Sequence, residues 1–320
     1  MAATVQILIE FALLASCHGA PSPEFRKKAR IVASHFGDIN SFIKVTPKQL
    51  VGLAYVGGQN VGLTKGQIET IKRVQTEGII SSKLTIQENF IKILVECFIQ
   101  RQLDMIDVLT IENLNCNPIL IKSLRFTTSK EVLTYYVFQS ISRSIVTSLG
   151  YLVQDLLLYS GEGISDAKNE TSGEATKWDL VKEKAGEIKA WIEVKSGPND
   201  LDKAQILHYK KEIETIEKRG ERAFIGETYG KRTQNTITHA LYRQYLPNWE
   251  KRTLIGHELW NFVSDDHKYH VKLTKMLHDV ANVVLAKRSL LYKINEKTIK
   301  LTKVFDKNYK SVDAFIADLW

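Results

Sequence analysis

The chain has 320 residues, 44% of them apolar, enough to bury one large core or two modest ones. Lys and Arg number 44 against 36 Asp and Glu, and the formal charge of +8 favours a polyanionic partner over an acidic or neutral one. No apolar run is long enough to span a bilayer, and three cysteines (Cys17, Cys97 and Cys116) without metal-like spacing suit a reducing, cytoplasmic setting better than a disulfide scaffold.

In chain order, residues 3–16 read as an amphipathic helix. Leu14-Ala15-Ser16-Cys17 mimics a lipoprotein cleavage box, but no Lys or Arg precedes it and Glu10 breaks the apolar run, so a signal peptide is not expected. Residues 24–125 read as mostly helical. Within them Thr46 is an N-cap, with Pro47 at the first helical position and Gln49 three residues after the cap. A glycine pair follows at Gly57 and Gly58. This run resembles the helix-hairpin-helix modules of DNA repair nucleases. In those, a Gly-rich hairpin offers backbone N–H groups to phosphate, and the next helix adds its dipole. Lys65, Lys72 and Arg73 would then add phosphate contacts. The extra glycines Gly62 and Gly66 depart from that pattern, and Val56 to Gly66 reads alternatively as an ordinary Gly-rich loop.

Ile86, Phe90, Ile91, Leu94, Val95 and Phe98 recur at helical spacing and belong to a core. Asn113 to Pro118 reads as a loop and a boundary. Lys130 to Ser160 forms a long apolar helix, with a break expected at Gly150 and packing through Val132, Tyr136, Ile141 and Ile145. Ser160 to Lys177 is polar and Gly-containing, either a plain link or a DNA-contacting loop.

Residues 178–197 carry the chemistry. Trp178, Leu180 and Val181 favour one strand; Trp191, Ile192 and Val194 favour another; Lys184 to Glu187, with Gly186, makes the turn between them. Glu193 and Lys195 lie two residues apart, hence on one face of the second strand. The hairpin returns Asp179 toward Glu193. Two oxygen-donating acids suit Mg²⁺, which keeps waters and prefers carboxylate and phosphate ligands. Lys195 beside them can assist an attacking water and stabilise a pentacovalent phosphorus. Charges interrupting an apolar strand need a reason.

Ser196-Gly197-Pro198 ends the strand, and a charged helix follows from Asp200 or Asp202 to residue 219. It places Gln205 one turn before Tyr209, with Gln205 supporting the site. Ala223 to Gly226 reads as a short buried strand. The loop Tyr229 to Asn235 is basic and amide-rich; Lys231, Arg232, Gln234 and Asn235 are the side-chain types that read base edges, and Arg243 suits a phosphate. Leu254-Ile255-Gly256 followed by Glu258 to Phe262 reads as strand, turn and helix. His267 and His270 lack a third zinc ligand. Residues 271–290 form an amphipathic helix. The tail is expected to hold a strand, Thr298 to Phe305, and a last helix ending at Trp320.

Asp179 followed by Glu193-Val194-Lys195 resembles the PD-(D/E)xK nuclease superfamily, with Trp178 where that pattern often has Pro. Gln205-Ile206-Leu207-His208-Tyr209 resembles the Gln-x-x-x-Tyr helix of RecB-like members. The stretch from Asp179 to Val284 is similar to type II restriction endonucleases that cut interrupted GGNCC-type sites, through Glu193 to Gly197, Phe224-Ile225-Gly226 with Tyr229-Gly230, and Gly256-His257-Glu258-Leu259-Trp260-Asn261-Phe262. The resemblance implies an α/β (α+β) fold: a mixed β-sheet nuclease core flanked by helices, with a mainly helical N-terminal region. The chain divides accordingly into 1–125, a nuclease core at 126–290, and 291–320. Asp179 and Glu193 would hold Mg²⁺, with Asp179, Glu193, Lys195 and Gln205 as the catalytic set. Gly57, Gly58, Lys65, Lys231, Arg232, Gln234, Asn235 and Arg243 would contact double-stranded DNA. A palindromic or interrupted palindromic site would be read by a homodimer.

Two other readings stand beside this one. A repair or recombination nuclease would share the helix-hairpin-helix and RecB-like signals. A non-catalytic DNA-binding protein would use the basic loops alone. Acids near a phosphate repel it, so a mere binder has no need of Glu193 beside Lys195.

Overall fold

The hairpin at 178–197 forms as the residue pattern requires. In the computed structural model, which describes residues 39–52, 55–56, 59–60, 65–167 and 177–320, β4 (Leu180–Lys182) pairs antiparallel with β5 (Ala190–Lys195), Leu180 opposite Ile192. Gly186 takes the turn at φ +82°, a conformation that favours glycine. The helix expected at 3–16 and the Gly57–Gly58 pair lie outside the described residues, while β1 (Tyr55–Val56) and β2 (Gln59–Asn60) on either side of that pair run antiparallel.

β5 is the centre of a five-stranded sheet ordered β3-β4-β5-β6-β7, with β3 at Ile164–Asp166, β6 at Arg222–Glu227 and β7 at Thr253–Ile255. The first three strands are antiparallel neighbours; β5, β6 and β7 run parallel, so the sheet is mixed. β3 falls in a stretch read from sequence as loop. It has three residues, half-buried, and no alternation long enough to announce a strand. The parallel pairs need crossovers. One is the helix Lys203–Glu217; the other contains Ile237–Tyr245 and Trp249–Arg252.

Alternation along β5 splits the sheet's two faces. Trp191 joins a core with Ile206, Ile213 and Ile216 of the helix Lys203–Glu217 and with Tyr242. Ile192 and Val194 point the other way, into a core with Leu94, Leu156, Leu259 and Leu273. Glu193 and Lys195 share the Trp191 face by the same period of two. On the opposite face the helix His257–Ser264 comes close because residue 226 is glycine: an added Cβ would lie 2.9 Å from Leu259 Cδ1.

Helices Ile86–Asp107 and Ser129–Leu158 wall that second core. Both begin with capping boxes, Thr85 with Glu88 and Thr128 with Glu131. Thr46 and Gln49 make the same exchange at the helix Pro47–Gly52, as their spacing predicts. The Ser129–Leu158 helix runs unbroken through Gly150, where the expected break does not occur. A single glycine costs about 1 kcal/mol in a helix, which packing on both sides outweighs.

A third core joins Val132 to Ile141 of that helix with Ile294, Leu301, Phe305, Phe315 and Ile316. Here the sequence reading is corrected. Thr298 to Phe305 is not a strand but part of a helix, Leu290–Asn308, followed by a short helix, Val312–Asp318. Thr298, Ile299 and Val304 carry β-branched signals, but the buried positions Ile294, Thr298, Leu301 and Phe305 step by four, three and four, a helical stripe. The amphipathic helix expected over 271–290 spans Tyr269–Val284.

Candidate active site

Asp179, Glu193 and Lys195 come together at the β4–β5 edge. Asp179 sits one residue before β4. Its N–H donates to the Ile192 carbonyl at 3.1 Å and its carbonyl accepts from Ala167 N at 3.0 Å, which fixes its backbone between β3 and β5. Its carboxylate turns toward β5, where Oδ2 accepts the Val194 N–H at 2.9 Å. That hydrogen bond places the acid against the residue between Glu193 and Lys195.

Glu193 is buried, at 8% exposure. Its Oε1 accepts from Lys195 Nζ at 2.6 Å and from the Tyr209 hydroxyl at 2.6 Å. Lys195 Nζ also lies 3.5 Å from that hydroxyl and 5.3 Å from the Tyr209 ring centre. The lysine therefore has an anion and a π-face as partners. Burial first, then the hydrogen bond to Glu193 and the charges of Glu193 and Asp179, push the Tyr209 phenol well above its ordinary value, so it stays a donor. Trp178 closes the back of the site, its ring 6.2 Å from that of Tyr209.

Gln205 is placed differently from its partner on the helix. It is exposed at the third position of Lys203–Glu217, where its Oε1 accepts from Asp202 N at 2.9 Å and its N–H donates to Asp202 Oδ1 at 2.8 Å. Tyr209, one turn on, is the residue of that helix that touches the acid. The Gln-x-x-x-Tyr spacing carries the signal for it. Asp200 braces the strand end, accepting from Ser196 Oγ at 2.6 Å and Gly197 N at 2.8 Å.

The DNA-contact candidates are scattered. Lys65 is exposed, 3.8 Å from Glu69. Lys72 and Arg73 face protein rather than solvent: Lys72 donates to the Val45 carbonyl, and Arg73 pairs with the buried Glu96. Arg232 is likewise spent inside the protein. Its guanidinium bonds Glu258 through Nε at 3.0 Å and Thr253 through Nη1 and Nη2 at 3.0 Å each. Lys231 and Gln234 are exposed in the loop after β6, and Asn235 Oδ1 accepts from Arg243 Nη2 at 3.2 Å. Tyr229, at the head of that loop, is 60% exposed.

A mixed sheet that gathers two acids and a lysine at one strand edge is the framework of a nuclease, and a family comparison places it. Residues 85–283 match the model of the type II restriction endonuclease EcoO109I family. That covers well over half of the chain, and the protein belongs to this family of type II restriction endonucleases. No curated protein matches the chain. Membership makes the chain a nuclease acting on DNA. Among the described residues no helix is long and apolar enough to cross a membrane.

Nucleases of this kind typically use a divalent metal. Among the described residues no three His, Cys, Asp or Glu side chains converge as a metal cluster. Two carboxylates, with Glu193 Oε2 taking no hydrogen bond among the described residues, suit a hard cation that fills its remaining positions with water and phosphate.

Proposed function

We propose that the protein is a Mg²⁺-dependent, sequence-specific endonuclease of double-stranded DNA, acting as a homodimer on a palindromic or interrupted palindromic site with one active centre per strand. The observation that supports this most is Lys195 Nζ at 2.6 Å from Glu193 Oε1, beside Asp179 bonded to Val194. Asp179 and Glu193 are the residues to hold the cation. When bound, it lowers the pKa of a water and offsets charge on the scissile phosphate.

The chain's own groups do the rest. Tyr209 and Lys195 both donate to Glu193 Oε1 and so fix that carboxylate. Lys195 carries a positive charge against Glu193. It holds the attacking water by a hydrogen bond and stabilises the negative charge gathering on phosphorus oxygens. The attacking water releases a proton to bulk solvent as its oxygen bonds to phosphorus, one P–O ester bond breaks, and the departing alkoxide takes a proton from a second solvent water. Burial of Glu193 keeps these charges in a low dielectric, where each is worth more than in water.

Incubation with plasmid DNA and Mg²⁺ tests this reading. Discrete fragments, lost on chelation with EDTA, are expected. A smear would mean cutting without site preference, and dependence on nicks or ends would mean a repair nuclease. Plasmid left whole would favour a non-catalytic binder.

A further inference from the structure

Next to the acids lies a second buried pair that the mechanism does not use. Glu227 ends β6 in register with Lys195, so both side chains leave the sheet on the same face. Glu227 and His239 are both fully buried, and His239 Nε2 lies 2.9 Å from Glu227 Oε2. The other ring nitrogen, Nδ1, lies 2.9 Å from the Gln234 carbonyl. Both ring nitrogens thus face oxygen acceptors. Beside it, the buried Tyr242 hydroxyl is pushed well above its ordinary value by burial first and then by the charge and hydrogen bonding of Glu227, so the carboxylate faces a phenol as well as the imidazole. Burying a carboxylate and an imidazole together costs desolvation that the contact between them only partly offsets.

What the pair touches is the loop Tyr229 to Asn235. The loop is fixed at its head by Thr228, whose N–H donates to the Lys195 carbonyl at 3.0 Å and whose Oγ1 donates to the Ser196 carbonyl at 2.7 Å. Trp260 Nε1 donates to the Thr228 carbonyl at 2.8 Å. Near its end the loop is fixed by His239 on Gln234, and in the middle by Arg232 on Glu258 and Thr253. The Tyr229 ring lies over Gly197 at the end of the Lys195 strand: a Cβ on residue 197 would stand 2.4 Å from Tyr229 Oη. An exposed aromatic ring, held at both ends of its loop and laid on the strand that carries the lysine, has the placement of a substrate contact.

We propose that His239, buried against Glu227, is a positioning residue that pins the Tyr229–Asn235 loop through the Gln234 carbonyl, so that the Tyr229 ring and the exposed Lys231 and Gln234 meet duplex DNA in fixed register with the Lys195 strand. This rests on the DNA-cleavage reading above and assigns to that site the residues that set its selectivity. Neither Glu227 nor His239 touches the substrate; His239 acts through the loop.

His239→Asn and His239→Gln separate the pin from a plain core hydrogen bond. Asparagine reproduces the Nδ1 position and keeps the Gln234 contact; glutamine reproduces Nε2 and keeps only the Glu227 contact. Each loses one buried bond, so their melting temperatures should fall alike. The cut site is first mapped on plasmid DNA, and short duplexes carrying that site, or the site with one base pair changed, are then compared. In His239→Gln the preference for the mapped site should drop about tenfold, the scale of one lost base contact, with KM raised and kcat kept within about threefold. His239→Asn should stay near the unaltered protein in all three. Equal selectivity in the two variants overturns the proposal, as does a loss confined to kcat. If neither folds, Tyr229→Ala, altered at an exposed position, decides: KM should rise about tenfold, and an unchanged KM and site preference overturn it. Should the unaltered protein leave plasmid whole, the cleavage reading has failed on its own. The loop is then judged by duplex affinity, where His239→Gln must still bind more weakly than His239→Asn.

Discussion

The Tyr209 hydroxyl donates to Glu193 Oε1 at 2.6 Å, the same oxygen that Lys195 reaches. A short bond to a carboxylate holds that side chain in one orientation. Tyr209→Phe removes the O–H and leaves the ring beneath Lys195. We expect kcat to fall about tenfold and stability to change by about 1 kcal/mol, the usual net worth of one hydrogen bond. Steady-state cleavage and thermal melting measure the two; full kcat in the variant would show that Tyr209 does not orient the acid.

Asp179→Ala and Lys195→Ala should each remove at least about 3 kcal/mol of transition-state stabilisation, while duplex binding in gel-shift assays stays largely intact. Cleavage at the ordinary rate in either variant removes that residue from the catalytic set. Loss of binding together with cleavage would make the residue a DNA contact.

Gly197→Ala places a methyl where the Tyr229 ring now rests, 2.4 Å from Oη and 2.6 Å from Cζ. The obstacle is the far end of an exposed side chain, so the ring can swing away, and the stability cost should stay within about 1 kcal/mol. DNA affinity should nevertheless drop, because the ring leaves its seat at the strand end. A large fall in melting temperature with unchanged affinity would reverse this assignment.

A separate expectation concerns pH. Glu96 is fully buried on the helix Ile86–Asp107, and burial raises its carboxyl to about 7, with Arg73 pulling it down and Glu77 up. The folded chain then keeps a proton that the unfolded chain gives up near 4.5. Stability is fullest below that value and falls as pH rises toward 7, by about 3 kcal/mol in total. Glu96→Gln should flatten the dependence. Melting curves recorded across this window provide the check, and an equal slope in both proteins would point to another group.

The acid–lysine edge was legible because its signals are local. Gly186 marks the turn, Trp191, Ile192 and Val194 mark the strand, and Glu193 and Lys195 stand out against them. The three-residue β3 was not, since it exists only by pairing with β4. The tail failed for a different reason: β-branched residues at Thr298, Ile299 and Val304 outweighed a helical stripe whose partners, such as Val132 and Ile141, lie far back in the chain. Arg232 shows the same limit at the level of one side chain. Its residue type suits guanine, but Glu258 and Thr253 already occupy it. Glu227 and His239 look unremarkable in sequence, because their meaning lies in what the fold sets against them.

The unbroken helix Ser129–Leu158 contributes Val132 to Ile141 to one core and Leu152 to Leu157 to another. At 1.5 Å per residue it is a rod about 45 Å long, stiff enough to carry a disturbance from end to end. The C-terminal helices are thereby mechanically joined to the sheet that holds the acids, and calorimetry should register one heat-absorption peak where separable lobes would give two.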